Sequence, residues 1–231
     1  MKIVSFGDSF IFGSELNNNH DGRAAWPGLI AEQIQVEYQT MANPGCGNDD
    51  ITRQIFTYFS ENSAQDTLAV INWTWAARWD FYVVLKESWI SLGLTCVPDK
   101  LKNLLDNVEA EKLIDFYKTY TGNSILWNRW RSLQSIHSAQ SFMNSKGVRS
   151  IQTYMDPIIW DQTFHAPVYV RTLQDITQPA MTNFEGENFL DWSHAHGFPV
   201  SDPGWHPLEQ AHRAAADLWQ DRYVNVLRNK Y

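Results

Sequence analysis

The chain has 231 residues, of which 44% are hydrophobic and 19% charged, so it is long enough to bury one sizeable core as a single domain. Its net charge of −8 argues against nucleic acid as a partner, because binding a phosphate backbone needs a basic surface. No apolar run reaches the roughly 18 residues of a membrane-spanning helix.

The cysteine content and the first predicted strand both favour an intracellular origin. Two cysteines, Cys46 and Cys96, predict no disulfide framework and are typical of a reducing compartment. A strand that begins at Lys2 leaves no room for a signal peptide, so we expect a protein made and folded in the cytoplasm. A role outside the cell would follow lysis or incorporation into a virus particle.

The first predicted element is a buried strand over residues 2–6, followed by Gly7, Asp8 and Ser9. Gly7 ends the apolar run at a point where backbone approaches a neighbour closely. Open α/β sheets bind their ligands beyond the carboxyl ends of the strands. Ser9 is therefore the candidate nucleophile, and residues 11–25 form a loop on the same side.

Alternating helices and strands are predicted next. Trp26-Pro27 opens a helix, since proline is favourable in the first helical turn. A second strand over 36–42 ends in a turn over 43–49 that is rich in glycine and asparagine. A helix over 49–59 and a third strand over 68–74 follow, which is the pattern of a parallel sheet.

Residues 75–122 do not fit the βαβ repeat and are rich in aromatic side chains, so we expect an inserted helical cap. A subunit contact or additional core explains the same residues equally well. The pattern after the insertion predicts a helix over 123–146 with Gly147 as its C-cap, a fourth strand over 148–155 and an irregular excursion over 158–188. A short fifth strand at 189–191 and a helix over 207–227 complete the chain.

Acidic and histidine side chains are concentrated near the C-terminus. Three interpretations are open: a catalytic triad in which Asp202 orients His206 as general base, a divalent metal site, or an ordinary surface loop and helix start. Asp191 is the alternative acid. The members of the cluster are Asp191, His194, His196, Asp202, His206 and His212.

Two blocks at opposite ends of the chain resemble those of the SGNH/GDSL hydrolases. Gly-Asp-Ser at 7–9 is similar to the family's first block, and Asp202 with His206-Pro207 is similar to its last. The resemblance implies a flavodoxin-like three-layer α/β/α sandwich around a parallel five-stranded sheet. It also implies an esterase that needs no metal or organic cofactor, and a packing or capping role for His212.

The resemblance also assigns roles to further residues of the site. It implies an oxyanion hole made by the backbone N–H groups of Ser9 and of Gly45 or Gly47, with Asn48 as a side-chain donor. The sequence departs from the family at two points: Trp-Thr-Trp-Ala at 73–76 replaces Gly-x-Asn-Asp, and the acid is Asp202 rather than residue 203. Asn48 or Arg78 is the expected substitute for the missing asparagine. Three residues are candidate substrate contacts: Asp8, Trp73 and Arg78.

The motifs around 26–27, 45–48 and 73–78 resemble a diverged branch of the family found among phage and bacterial sequences. The predicted function is hydrolysis of a small-molecule or carbohydrate ester, for example an O-acetyl group. The alternatives are an inactive binding or structural protein of the same fold, such as a virion component, and a metal-dependent hydrolase. The sequence predicts no oligomeric state.

Overall fold

The structure is a computed structural model that describes residues 1–84, 87–93, 101, 105–162 and 165–228, with side chains described to residue 220. Its strands are β1 (Lys2–Gly7), β2 (Glu37–Thr40), β3 (Thr67–Trp73), β4 (Trp79–Val83), β5 (Ser88–Leu92) and β6 (Arg149–Tyr154). Its α-helices are α1 (Ser9–Phe12), α2 (Trp26–Gln33), α3 (Asn48–Glu61), α4 (Asn107–Phe116), α5 (Ile125–Ser145), α6 (Val168–Thr177), α7 (Phe189–Ala195) and α8 (Glu209–Arg228).

Four parallel strands form the central sheet in the order β2-β1-β3-β6. Ile3 of β1 lies between Tyr38 of β2 and Leu68 of β3, so β1 is an interior strand. All seven residues of β3 are buried, as expected for a parallel strand that has helices on both faces. The order is that of a doubly wound sheet, and it places the carboxyl ends of β1 and β3 next to each other.

Two apolar clusters lie on opposite faces of this sheet and make three layers. Side chains alternate along β1, so Ile3 packs toward α2, α7 and α8, whereas Val4 and Phe6 pack toward α3 and α5. A third cluster lies outside the sandwich and joins the β4–β5 hairpin to α4 and to Tyr117.

The predicted fifth strand at 189–191 is wrong, because these residues begin α7. The Asn188 side chain accepts hydrogen bonds from the amides of Leu190 and Asp191, which caps the helix. Phe189 and Trp192 then bury one helical face. At the sheet edge beyond β6, the described residues form one isolated bridge, between Gln152 and Met181, instead of a strand.

The excursion predicted over 158–188 contains a helix that the sequence pattern concealed. The buried positions of α6 are Val170, Gln174 and Thr177, which lie on one face but include two polar residues. The Gln174 amide donates to the carbonyl of Ile159, so burial of this polar group is compensated by a hydrogen bond.

The insertion at 75–122 is not purely helical, because β4 and β5 pair as an antiparallel hairpin before α4 begins. Asp106 and Glu109 form a capping box at the start of α4, and a π-helical turn over Tyr117–Gly122 follows it. Residues 85–86, 94–100 and 102–104 of the predicted cap lie outside the described residues. Within the described part of the chain, no helix is long and apolar enough to cross a membrane.

His212 fastens α8 to α2 from inside the core. Its Nδ1 accepts the backbone N–H of Trp26 at 3.1 Å, and its ring contacts Phe189. Burial away from water lowers the pKa of His212 to about 3. The predicted packing or capping role therefore agrees with its position.

We predict that His212 makes the fold sensitive to acid. Below pH about 6.5 the unfolded chain binds a proton at this residue and the folded chain does not, so the free energy of unfolding falls by about 1.4 kcal/mol per pH unit from this group. Denaturant unfolding between pH 7 and pH 4.5 measures the slope. A His212→Gln variant should show a flatter dependence than a variant of the exposed histidine, His194→Gln; equal slopes for the two would contradict the assignment.

Candidate active site

Ser9 lies on a tight turn where β1 gives way to α1. Gly7 has φ +148°, and a Cβ there would lie 2.6 Å from Ile11 Cγ2 and 2.7 Å from the carbonyl oxygen of Asn72. Only glycine fits this passage between β3 and α1. Asp8 then caps α1 by accepting the N–H of Phe10, which leaves Ser9 as the first helical residue.

His206 reaches Ser9 from the other end of the chain. The loop before α8 is closed by two hydrogen bonds between Ser201 and His206, one from the N–H of each residue. The imidazole lies 4.8 Å from the ring of Phe10, and its Nε2 is 2.8 Å from Ser9 Oγ. The structure thus brings the predicted nucleophile and the predicted base into hydrogen-bond contact.

The carboxylate beside His206 is not one that the sequence singled out. Asp202 is exposed, and no hydrogen bond or ion pair between it and His206 occurs among the described residues. Asp191 lies on α7 and accepts a hydrogen bond from Asn188. Glu15 instead places Oε2 3.4 Å from His206 Nδ1. Glu15 lies in a polar loop with no motif around it, so only the three-dimensional contact reveals it.

Two of the predicted oxyanion donors are already hydrogen-bonded within the protein. The N–H of Gly47 donates to Asp80 Oδ1 at 2.8 Å, and the Asn48 side chain donates to the carbonyl of Thr74 and the hydroxyl of Ser132. These contacts fasten the start of α3 to the hairpin and to α5. Gly47 and Asn48 are therefore structural here, which corrects the prediction for both.

The remaining predicted donors, Ser9 and Gly45, differ from these two. Among the described residues, neither backbone N–H donates to a protein acceptor. Gly45 is exposed at φ +88° on the turn after β2. Asn72, at the end of β3, accepts a hydrogen bond from Thr153 through Oδ1.

A buried ion pair supports the turn that carries Ser9. Asp8 has no exposed surface, and its Oδ2 accepts hydrogen bonds from Thr74 Oγ1 at 2.6 Å and from Arg78 Nη1 at 2.7 Å. Arg78 Nη1 also donates to the carbonyl of Cys46. The guanidinium thus joins the ends of β1 and β3 to the turn after β2.

This pair corrects two of the predicted substrate contacts. Asp8 is enclosed, and Trp73 is fully buried with its Nε1 donating to Gln152 Oε1. Neither side chain can touch a substrate. Arg78 keeps 18% of its side chain exposed and faces a cavity.

That cavity has a volume of about 590 Å³ and lies beside the Ser9 turn rather than over it. Ser9 and His206 do not line it, but Trp75 does, and the Trp75 ring packs against Phe10 of α1. Burial raises the pKa of Asp156 on its wall. The lining residues include Trp75, Arg78, Asn123, Asn128, Asp156 and Ile158.

The histidine cluster is dispersed in the fold. His212 is in the core, His206 contacts Ser9, and His196 hydrogen-bonds the carbonyl of Trp192. Within the described residues, no group of three or more His, Cys, Asp or Glu side chains is arranged to hold a metal ion.

Comparison with known proteins identifies the fold through structure alone. No protein-family model matches the sequence, and no curated protein matches it. Among solved structures, a member of the lipolytic G-D-S-L family from Veillonella parvula is 14% identical with a TM-score of 0.52, and the match covers 97% of this chain and 98% of that one.

Two esterases are similar in the same way. The psychrotrophic esterase EstA from Pseudoalteromonas sp. is 12% identical with a TM-score of 0.54, and the match covers 99% of each chain. A carbohydrate esterase, whose active site is described as displaying divergent catalytic and non-catalytic binding functions, is 13% identical with a TM-score of 0.52. That match covers 98% of this chain and 66% of the other. The chain therefore has an SGNH/GDSL hydrolase-like fold.

We predict that the Asp8–Arg78 pair is a main determinant of stability. Asp8→Asn keeps the shape of the side chain but leaves the Arg78 guanidinium without its charge partner, so the free energy of unfolding should fall by about 3 kcal/mol. Asp21→Asn breaks the ion pair with Arg23, in which both side chains are 63% exposed, and should cost no more than about 1 kcal/mol. Denaturant unfolding of both variants makes the test, and equal losses would contradict it.

Proposed function

We propose that this chain, with its SGNH/GDSL hydrolase-like fold, is a serine esterase in which Ser9 is the nucleophile and His206 the general base. The observation that carries the proposal is the 2.8 Å contact between His206 Nε2 and Ser9 Oγ at the carboxyl end of β1. A serine hydroxyl is a weak nucleophile unless an adjacent base removes its proton, and this geometry places that base within reach.

The reaction then follows two acyl-transfer steps. As Ser9 Oγ attacks the acyl carbon, its proton passes to His206 Nε2, and the imidazolium returns that proton to the departing alcohol. The backbone N–H groups of Ser9 and Gly45 are the donors we assign to the tetrahedral oxyanion, since both lack a protein acceptor among the described residues. Water, deprotonated by the same imidazole, hydrolyses the acyl-enzyme and releases the acid.

The surroundings of the site favour a carbohydrate ester, such as an O-acetylated sugar. The adjoining cavity is lined by Trp75 and by Arg78, whose side chain is 18% exposed, so it combines an aromatic residue with a hydrogen-bond donor. Trp205, next to His206, is 64% exposed and provides a second aromatic face. The similarity to a carbohydrate esterase supports the same substrate class.

An inactive binding protein of the same fold is the second candidate. It is favoured by the commitment of Gly47 and Asn48 to structural hydrogen bonds and by Trp-Thr-Trp-Ala at 73–76 in place of the Gly-x-Asn-Asp typical of SGNH/GDSL hydrolases. In that case the cavity would bind a carbohydrate without cleaving it. A virion-associated protein made in the cytoplasm is compatible with either candidate.

We predict that ester hydrolysis depends on both residues. Ser9→Ala and His206→Ala should each lower kcat for p-nitrophenyl acetate by about 10³-fold or more, because the two side chains act as a unit. His194→Gln is the matched control, since His194 is exposed and we assign it no part in the reaction. Release of p-nitrophenolate measures the rates, with and without chelator.

The outcomes separate the candidates. Turnover that is lost in both variants and insensitive to chelator is the result expected of a serine esterase. Loss on addition of chelator would indicate a metal-dependent hydrolase instead. If the wild-type protein and Ser9→Ala are equally inert toward p-nitrophenyl and sugar acetates, while titration calorimetry shows both binding the sugar, the binding protein is the correct account.

A further inference from the structure

We infer that Glu15, and not Asp202, is the positioning carboxylate that holds the imidazole of His206 in its working orientation. The inference rests on the proposed serine-esterase function for its catalytic meaning. It assigns a role to a residue that lies only six positions after Ser9, on the loop that follows α1. The nucleophile and the orienting acid would then come from the same short segment, the helix α1 and the loop that follows it.

The first argument concerns the two nitrogens of His206. Nε2 is engaged with Ser9 Oγ, which leaves Nδ1 to be oriented by another group. Nδ1 is buried and has no hydrogen-bond partner among the described residues, while Glu15 Oε2 lies 3.4 Å from it. A short movement of the carboxylate converts this contact into a hydrogen bond, as catalytic hydrogen bonds often tighten only when substrate binds.

The second argument is the fit between Glu15 and Gly204. A Cβ at position 204 would lie 2.1 Å from Glu15 Oε1 and 2.4 Å from Oε2, so the carboxylate rests directly on the glycine. Gly204 precedes His206 by two residues. The loop that delivers the histidine therefore also leaves room for the acid beside it.

The third argument is that the backbone holds Glu15 in place. Glu15 has φ +70°, a left-handed conformation that non-glycine residues seldom adopt. Two positions later, Asn17 donates through both its backbone N–H and its side-chain amide to Glu209 Oε1, at 3.1 and 2.8 Å, and so fastens this loop to the start of α8. Leu16 between them is buried. Asp202 and Glu15 are both exposed, but among the described residues only Glu15 lies within ion-pair distance of His206.

The chemical role follows from the proton on Nδ1. With a carboxylate beside Nδ1, the neutral imidazole keeps its proton there and presents the lone pair of Nε2 to the hydroxyl of Ser9. When Nε2 accepts the serine proton, the same carboxylate faces the positive charge of the imidazolium. Glu15 does not itself gain or lose a proton in this step.

The test compares variants that remove, neutralise or displace the carboxylate. Glu15→Gly removes it at a backbone conformation that glycine adopts readily, and Glu15→Gln neutralises it while keeping its size. Gly204→Ala leaves Glu15 in the sequence but puts a methyl group where its carboxylate lies; the φ of Gly204 is outside the left-handed region, so alanine is tolerated. Asp202→Asn is the matched control.

We predict that each of the first three variants lowers kcat for p-nitrophenyl acetate by at least about 10²-fold with KM little changed, and that Asp202→Asn keeps the wild-type kcat. The double variant Glu15→Gln with Gly204→Ala should be no slower than either single variant, because both act on one contact. Thermal unfolding of Glu15→Gly should stay at or above the wild-type midpoint. Wild-type kcat in the Glu15 variants, or a loss in Asp202→Asn alone, would overturn the inference.

A second measurement does not depend on turnover. Long-range proton–nitrogen NMR correlations of ¹⁵N-labelled histidine report which ring nitrogen of neutral His206 carries the proton. We expect Nδ1–H in the wild-type protein and in Asp202→Asn, and a shift of population toward Nε2–H in Glu15→Gly. The same tautomer in all three proteins would refute the role of Glu15, whereas absence of Ser9-dependent turnover alone would refute only the esterase proposal.

Discussion

The buried pair between Asp8 and Arg78 is the interaction on which the candidate site depends. Asp8 is fully enclosed and also caps α1, so a single carboxylate fixes both the start of that helix and the position of the next residue, Ser9. Arg78 comes from the first residues of the insertion and reaches back across the ends of β1 and β3. A charge in this place is tolerable only because its partner and Thr74 satisfy it.

The Asp8–Arg78 pair lies at the edge of the sheet where the resemblance to SGNH/GDSL hydrolases leads us to expect Gly-x-Asn-Asp, and this chain has Trp-Thr-Trp-Ala there. In place of a free asparagine after β3, the Thr74 hydroxyl and the Arg78 guanidinium occupy the edge of the sheet and bind Asp8. Asn48 belongs to the same network, because its side chain donates to the carbonyl of Thr74 and accepts from the N–H of Thr74. Under the proposed mechanism, backbone N–H groups are the donors left for the oxyanion, and we propose that the cavity next to Arg78 holds the rest of the substrate.

The sequence predicted the parts that depend on local pattern. The strand before Ser9, the glycine turn after β2 and the long helix α5 follow from short motifs and apolar periodicity, although Lys146 rather than Gly147 is the C-cap of that helix. The approach of His206 to Ser9 is implied by the resemblance to the SGNH/GDSL hydrolases. The parts it did not predict depend on polar burial or distant contact. The inward face of α6 contains Gln174 and Thr177, whose polarity concealed the helix. Glu15 lies beside His206 because Gly204, near the other end of the chain, leaves room for its carboxylate. No local sequence pattern indicates that contact.

The claim at the centre of this account is that Ser9 is an activated nucleophile. Reaction of the folded protein with an activated phosphonate ester, followed by mass spectrometry of its peptides, tests that claim without knowledge of the natural substrate. The account predicts one phosphonate per chain on Ser9, formed rapidly in the wild-type protein and very slowly in His206→Ala. Labelling at another residue, or equal rates in the two proteins, would contradict it.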